Sequence, residues 1–306
     1  MAGGAFHAGV LAALEEATGW DPRTASIIVG TSAGSIAGAS LRAGLSASDM
    51  LARAEDRPVS SAGARLLARA GPPRRTPLRP RAGRPRPPGE VAARLARAAT
   101  RPFSVRPLAV LAGLLPEGTV GTEVIAEGIG GLLPGQWPSE PLWVCAVRER
   151  DGRLVVFGRD SKPPVPDAVA ASCAIPGFFR PVTIDGEAFV DGGAHSPTNA
   201  DLLTAVELDL VLVSSPMSLA GRGLRLSLDQ PARRWSRLLL DGEAVRLRRC
   251  GVPVMAFQPT PDDAAVMGPN AMDPARRSVV AGQARESTLR RLARADTQAR
   301  LTTLTH

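Results

Sequence analysis

The apolar run Ala25 to Val29 passes without a spacer into Gly30-Thr31-Ser32-Ala33-Gly34, and helical spacing of small residues follows through Ala43. The β-branched run reads as a buried strand. A Gly-x-Ser-x-Gly turn between a strand and a helix has the form of a nucleophile elbow, in which a sharp turn pushes the serine oxygen outward. Only glycine tolerates the crowding on either side of such a serine. The pattern is cheap in a chain with 31 glycines, so the flanking strand and helix carry the argument. Ser32 is either a nucleophile or a polar residue in a glycine-rich turn, and its context favours the nucleophile.

A serine hydroxyl attacks only if a base takes its proton. The histidines are His7, His195 and His306. His306 is terminal, and Asp191 with His195 makes an acid and a histidine only four residues apart, which fits an ordinary Ser-acid-His order poorly. His7 and His195 therefore read as structural residues near a helix or loop. A carboxylate can act instead if it bonds directly to the serine oxygen. Asp191 is the best-placed candidate: it leaves a hairpin into Gly192-Gly193, which permit close backbone approach, although Asp-Gly is also a common plain turn.

The rest of the chain supplies strands and helices in alternation. Helices are expected at 8–18, 32–43, 46–54, 165–174, 235–249 and 274–295. Strands are expected at 142–147, 154–158, 182–184, 188–190, 208–213 and 253–257, with hairpin turns at Asp151-Gly152 and Asp185-Gly186. Interleaving of this kind predicts a layered α/β domain. Between Asp56 and Glu90 there is no acidic residue, and 13 of the 18 residues from Gly71 to Pro88 are Pro or Arg, so residues 57–88 read as an insertion or linker. Residues 90–100 return to helical spacing and read as a surface helix.

These stretches together resemble the patatin-like phospholipases. The resemblance rests on Gly4-Ala5-Phe6-His7-Ala8-Gly9-Val10-Leu11, on Gly30-Thr31-Ser32-Ala33-Gly34, on Ala170-Ala171-Ser172-Cys173-Ala174-Ile175-Pro176-Gly177-Phe178-Phe179, and on Asp191-Gly192-Gly193. It implies a three-layer α/β/α sandwich with a central, mostly parallel sheet, Ser32 as nucleophile and Asp191 as general base of a Ser-Asp dyad. It also implies a lipid or other ester substrate. Gly30, Gly34, Gly192 and Gly193 shape the two motifs. The family's oxyanion hole is a glycine-rich loop before the first helix, and counting back from Gly9 assigns Gly4 and Gly3 to its end. The earlier glycines and the first strand of the pattern would precede Met1: either the start is assigned too late, or the chain lacks a central strand and much of its oxyanion hole, and as written a weak activity is expected.

On this reading residues 1–200 form the catalytic core and 201–306 continue the same domain. No cofactor or metal is expected. No run approaches the roughly 18 apolar residues of a membrane span, and no signal-peptide pattern opens the chain, so cytoplasmic residence is expected. Cys145, Cys173 and Cys250 contain no paired spacing and read as core residues. The net charge of +8 comes from 36 arginines and Lys162 against 29 acids. It permits peripheral contact with an anionic membrane, and no specific nucleic acid is expected. The rival reading is a catalytically weak or inactive protein of this fold that binds anionic lipid or nucleic acid through its basic segment.

Overall fold

The computed structural model describes residues 1–71, 87, 89, 115–134, 136–219, 230–295, 297 and 301. In its first half the elements are α1 (Ala2–Thr18), β1 (Ile28–Thr31), α2 (Ala33–Arg42), α3 (Ala47–Ala54), α4 (Ser61–Arg69) and α5 (Glu123–Leu132). Then come β2 (Leu142–Arg148), β3 (Leu154–Phe157), α6 (Val165–Ser172), β4 (Val182–Ile184) and β5 (Glu187–Asp191). The remainder is β6 (Val211–Ser214), α7 (Gln230–Arg249), β7 (Val254–Phe257), α8 (Pro261–Met267) and α9 (Arg277–Leu292). The chain is of the mixed α/β class that the sequence predicts. It divides into two compact units, residues 26–43 with 65–197, and residues 1–25 with 44–64 and 198–306.

The first of these units holds a five-stranded sheet. β1 pairs with β2 in parallel, with Thr31 opposite Cys145. β3 and β5 pair with β2 antiparallel, and β4 closes a hairpin with β5. Cys145 and Ala146 also face Val156 and Val155 of β3, so β3 occupies one edge of β2 and β1 and β5 share the other. One face of the sheet is filled by Val144, Ala146, Phe157 and Phe189 against Ala39 of α2 and Ala168 and Val169 of α6. Burial of each large apolar side chain there is worth about 1.5–3 kcal/mol.

The other unit packs α1 against α9. Phe6, Val10 and Leu14 lie one helical turn apart and are buried with Val280, Ala281 and Ala284. Gly9 is required at this crossing, because a β-carbon on it would stand 2.4 Å from the Ala281 carbonyl oxygen. β6 and β7 form a separate parallel pair in this unit, from Val211 opposite Val254 to Ser214 opposite Phe257.

Several expectations need correction. α1 begins at Ala2 rather than residue 8, since small residues with Met1 as N-cap continue the helix backwards, and the Ala5 N–H already bonds to the Met1 carbonyl. Gly3 and Gly4 therefore lie in the first helical turn and not in a loop. Residues 61–69, inside the expected insertion 57–88, form α4. The Ser60 N–H and hydroxyl donate to the Asp49 carboxylate at 2.6 and 2.8 Å and fix its start. Residues 72–86, 88 and 90–100 lie outside the described residues. The first hairpin is wider than a two-residue turn, because the Arg148 N–H bonds to the Arg153 carbonyl over residues 149–152 while the Arg148 side chain grips Asp151. Cys250 is exposed just past the end of α7, unlike the buried Cys145 and Cys173.

Candidate active site

Ser32 sits between β1 and α2 with φ 52° and ψ −122°, a left-handed φ that L-residues rarely adopt. The turn is tight enough to exclude side chains: a β-carbon on Gly30 would meet the Ser35 Cα at 2.5 Å and the Gly34 carbonyl at 2.8 Å. The Ser32 carbonyl accepts the Ser35 N–H at 2.9 Å and the Ser35 hydroxyl at 2.7 Å. These local bonds turn the chain directly into α2.

Asp191 ends β5 opposite Ala146, the residue next to the Cys145 that faces Thr31. Because β1 and β5 approach along the same edge of β2 from opposite directions, their C-terminal ends meet, and Ser32 follows Thr31 at that meeting point. The Ser32 side chain is close enough to the Asp191 carboxylate to favour its ionised form. A second oxygen contact is supplied by the Gly193 N–H, which donates to Asp191 Oδ1 at 2.7 Å. Gly192 must be glycine here, since a β-carbon would stand 2.3 Å from the Cys145 carbonyl oxygen.

Asp191 is 5% exposed. Its burial pushes the carboxyl up from 3.8 to about 6, and the nearby Ser32 side chain and the Gly193 N–H oppose that rise only in part. A carboxylate with this proton affinity is ionised at neutral pH yet a better base than an exposed aspartate. Burial and the nearby Asp191 drive the Cys173 thiol far upward, so it stays protonated beside Asp191.

Of the residues singled out in the sequence, Ser32, Asp191, Gly30, Gly34, Gly192 and Gly193 lie in the same compact unit. Gly3 and Gly4 belong to the other. His7 is also in that other unit, buried, with Nδ1 2.8 Å from the Ser214 hydroxyl. Burial lowers its imidazole to about 4, so it is neutral at physiological pH. His195 follows the 3-10 turn Gly192–Ala194, its N–H bonded to the Gly192 carbonyl at 2.9 Å.

One residue of this neighbourhood received no role from the sequence. Ser172, the last residue of α6, is fully buried, and its hydroxyl accepts the Ser32 N–H at 2.9 Å. Its position in the Ala170–Phe179 block was the available signal.

A family model described as Patatin-like phospholipase matches residues 1–204, a span that includes Ser32, Ser172 and Asp191. No curated protein matches the chain.

Proposed function

The chain belongs to the patatin-like phospholipase family, and from that premise we propose that it hydrolyses carboxylic esters of lipids through an acyl-enzyme on Ser32, with Asp191 as general base. The family as a whole points to hydrolysis of lipid esters. The observation that carries the finer reading is the placement of Ser32 beside a buried Asp191 at the meeting point of β1 and β5.

In the first half-reaction Asp191 takes the Ser32 hydroxyl proton as Ser32 Oγ attacks the ester carbonyl carbon. The tetrahedral intermediate collapses by breaking the carbon–oxygen ester bond, and Asp191 passes the proton to the departing alkoxide, releasing the alcohol. Water then attacks the acyl-enzyme with Asp191 again as base. Collapse returns the proton to Ser32 Oγ and frees the carboxylate product.

Negative charge on the carbonyl oxygen needs preorganised donors. The Ala33 N–H follows the nucleophile at the N-terminus of α2, where the helix dipole adds positive potential. For Gly3 and Gly4, which lie in the other compact unit, an oxyanion role is only what the family resemblance implies. Their N–H groups fall in the first turn of α1, ahead of the first intrahelical bond, which is made by Ala5. Ile175 and Leu115 are exposed apolar side chains. Ile175 directly follows Ala174, whose carbonyl accepts the Asp191 N–H at 2.9 Å, a position suited to an acyl chain.

Residues 1–200 are read as the catalytic core and 201–306 as its continuation. Among the described residues no helix is long and apolar enough to cross a membrane. Peripheral contact with an anionic bilayer is instead supported by α7. Trp235, Leu238 and Val245 are exposed on one face of this helix, with Arg234 and Arg249 along the same face.

The reading is tested with a short-chain p-nitrophenyl ester and a fluorophosphonate probe. Ser32→Ala is expected to lose both hydrolysis and labelling with its fold intact, Asp191→Asn to lose hydrolysis, and His195→Ala to change little. A dead His195 variant would restore a histidine triad. Salt-sensitive binding to anionic vesicles without any labelling would favour a non-catalytic binder.

A further inference from the structure

Two residues at and just past the end of α6, Ser172 and Ala174, hold the backbones of Ser32 and Asp191. The Ser172 hydroxyl accepts the Ser32 N–H at 2.9 Å, across 140 positions of sequence. Two residues on, the Ala174 carbonyl accepts the Asp191 N–H at 2.9 Å. Between them, Cys173 Sγ lies 3.8 Å from the hydroxyl of Ser35, the residue that grips the Ser32 carbonyl. Ser172 and Ala174 are fully buried.

The two sides of Ser32 are held differently. Its carbonyl is fixed from within the elbow, by Ser35 and Ile36. Its N–H is fixed from α6. A non-glycine residue at φ 52° is strained and persists only where its surroundings over-determine it. The steric wall at Gly30 and the Ser35 bonds impose the turn, but neither refers the nucleophile to Asp191. The end of α6 does so, because a single short segment bonds to both strand ends. The same bond occupies the Ser32 N–H, which is therefore not offered to substrate.

We propose that Ser172 is a positioning residue: its hydroxyl, acting through the Ser32 N–H, sets the nucleophile in register with the Asp191 that Ala174 anchors. This rests on the Ser32–Asp191 reading. Loss of the hydroxyl leaves a buried N–H without its acceptor and lets Ser32 Oγ drift from the carboxylate. Displacements of about 1 Å cost on the order of 10²-fold in rate. The drift also weakens the interaction with Ser32 that favours the charged form of Asp191, while the hydrogen bond from Gly193 remains. The thiol of Cys173, the titratable neighbour facing Asp191, stays protonated throughout and does not mask the change.

The experiment compares wild type, Ser172→Ala and Ser172→Cys by kcat, KM and the pH dependence of kcat/KM on a p-nitrophenyl ester, with fluorophosphonate labelling and Tm alongside. For Ser172→Ala, kcat is expected to fall at least tenfold with KM within about twofold, and the acid limb of the profile to move to higher pH. Ser172→Cys keeps the volume with a weak acceptor and should show the same shift to a smaller degree, which keeps the test open if the alanine variant does not fold. An active wild type whose folded Ser172 variants retain kcat and the acid limb overturns the proposal alone. A wild type that neither turns over ester nor takes the probe overturns the dyad reading and this proposal with it. A variant that loses Tm without either kinetic change also overturns it, since Ser172 would then be structural only.

Discussion

A β-carbon on Gly30 would stand 2.5 Å from the Cα of Ser35, so the elbow closes only around a bare backbone. Relief would require the strand and α2 to separate, which moves Ser32 off the meeting point of β1 and β5. Gly30→Ala is expected to lose at least about 10²-fold in kcat/KM and several degrees of Tm. Ester turnover and thermal unfolding of the purified variant check both, and near-wild-type values would show that the turn has slack.

The base must be ionised to accept the Ser32 proton, and Asp191 titrates near pH 6 because it is buried. The kcat/KM profile is therefore expected to fall below about pH 6, not below pH 4. An acid limb at the ordinary aspartate position would mean that the reacting base is exposed.

The same burial makes Asp191 a cost to the fold. Its folded pKa lies above the value of 3.8 that it has when unfolded, so the folded chain holds the proton more tightly, and stability falls as pH rises from about 4 to 6. Above pH 6 the whole cost is present, on the order of 3 kcal/mol. Asp191→Asn removes the charge and keeps the shape. At pH 7.5 it is expected to raise Tm by a few degrees while ester hydrolysis is lost, and a lower Tm would show that the ionised carboxylate is net stabilising.

His7 behaves in the opposite sense. Its folded pKa of about 4 lies below the ordinary 6.5, so the unfolded chain gains the proton first and stability is lost as pH falls from about 6.5 to 4. The loss approaches about 3 kcal/mol at the acid end. His7→Gln should flatten that dependence and leave ester turnover at pH 7.5 within about twofold, measured by denaturant unfolding across the pH range. A collapse of turnover would return His7 to the chemistry.

Leu238 is 66% exposed on the arginine-flanked face of α7. Leu238→Glu is expected to weaken sedimentation with vesicles of anionic phospholipid by at least tenfold and to leave hydrolysis of a soluble ester unchanged. Binding of the unaltered chain should also weaken as salt is raised. Undiminished sedimentation of the variant would remove α7 from the contact.

Local chemistry made part of this site legible without a structure. The strand-turn-helix around Ser32 and the hairpin that delivers Asp191 follow from short-range rules. Asp185 and Gly186, at φ 51° and 77°, take the left-handed backbone that their turn signal requires. The capping box of Thr260 and Asp263 that opens α8 follows from the same short-range rules. The start of α1 was missed because alanines and glycines carry no periodic apolar signal, and the space around them decides the outcome. What only the tertiary structure decided is that β1 and β5 meet end to end along one edge of β2, and that a serine on α6 holds the backbone of Ser32. These contacts join residues about 140 to 160 positions apart, and their register depends on which strand edges remain open and which side chains fill the core. Residue type and spacing placed a serine and an aspartate at the ends of two strands. Packing against a third strand brought those ends together.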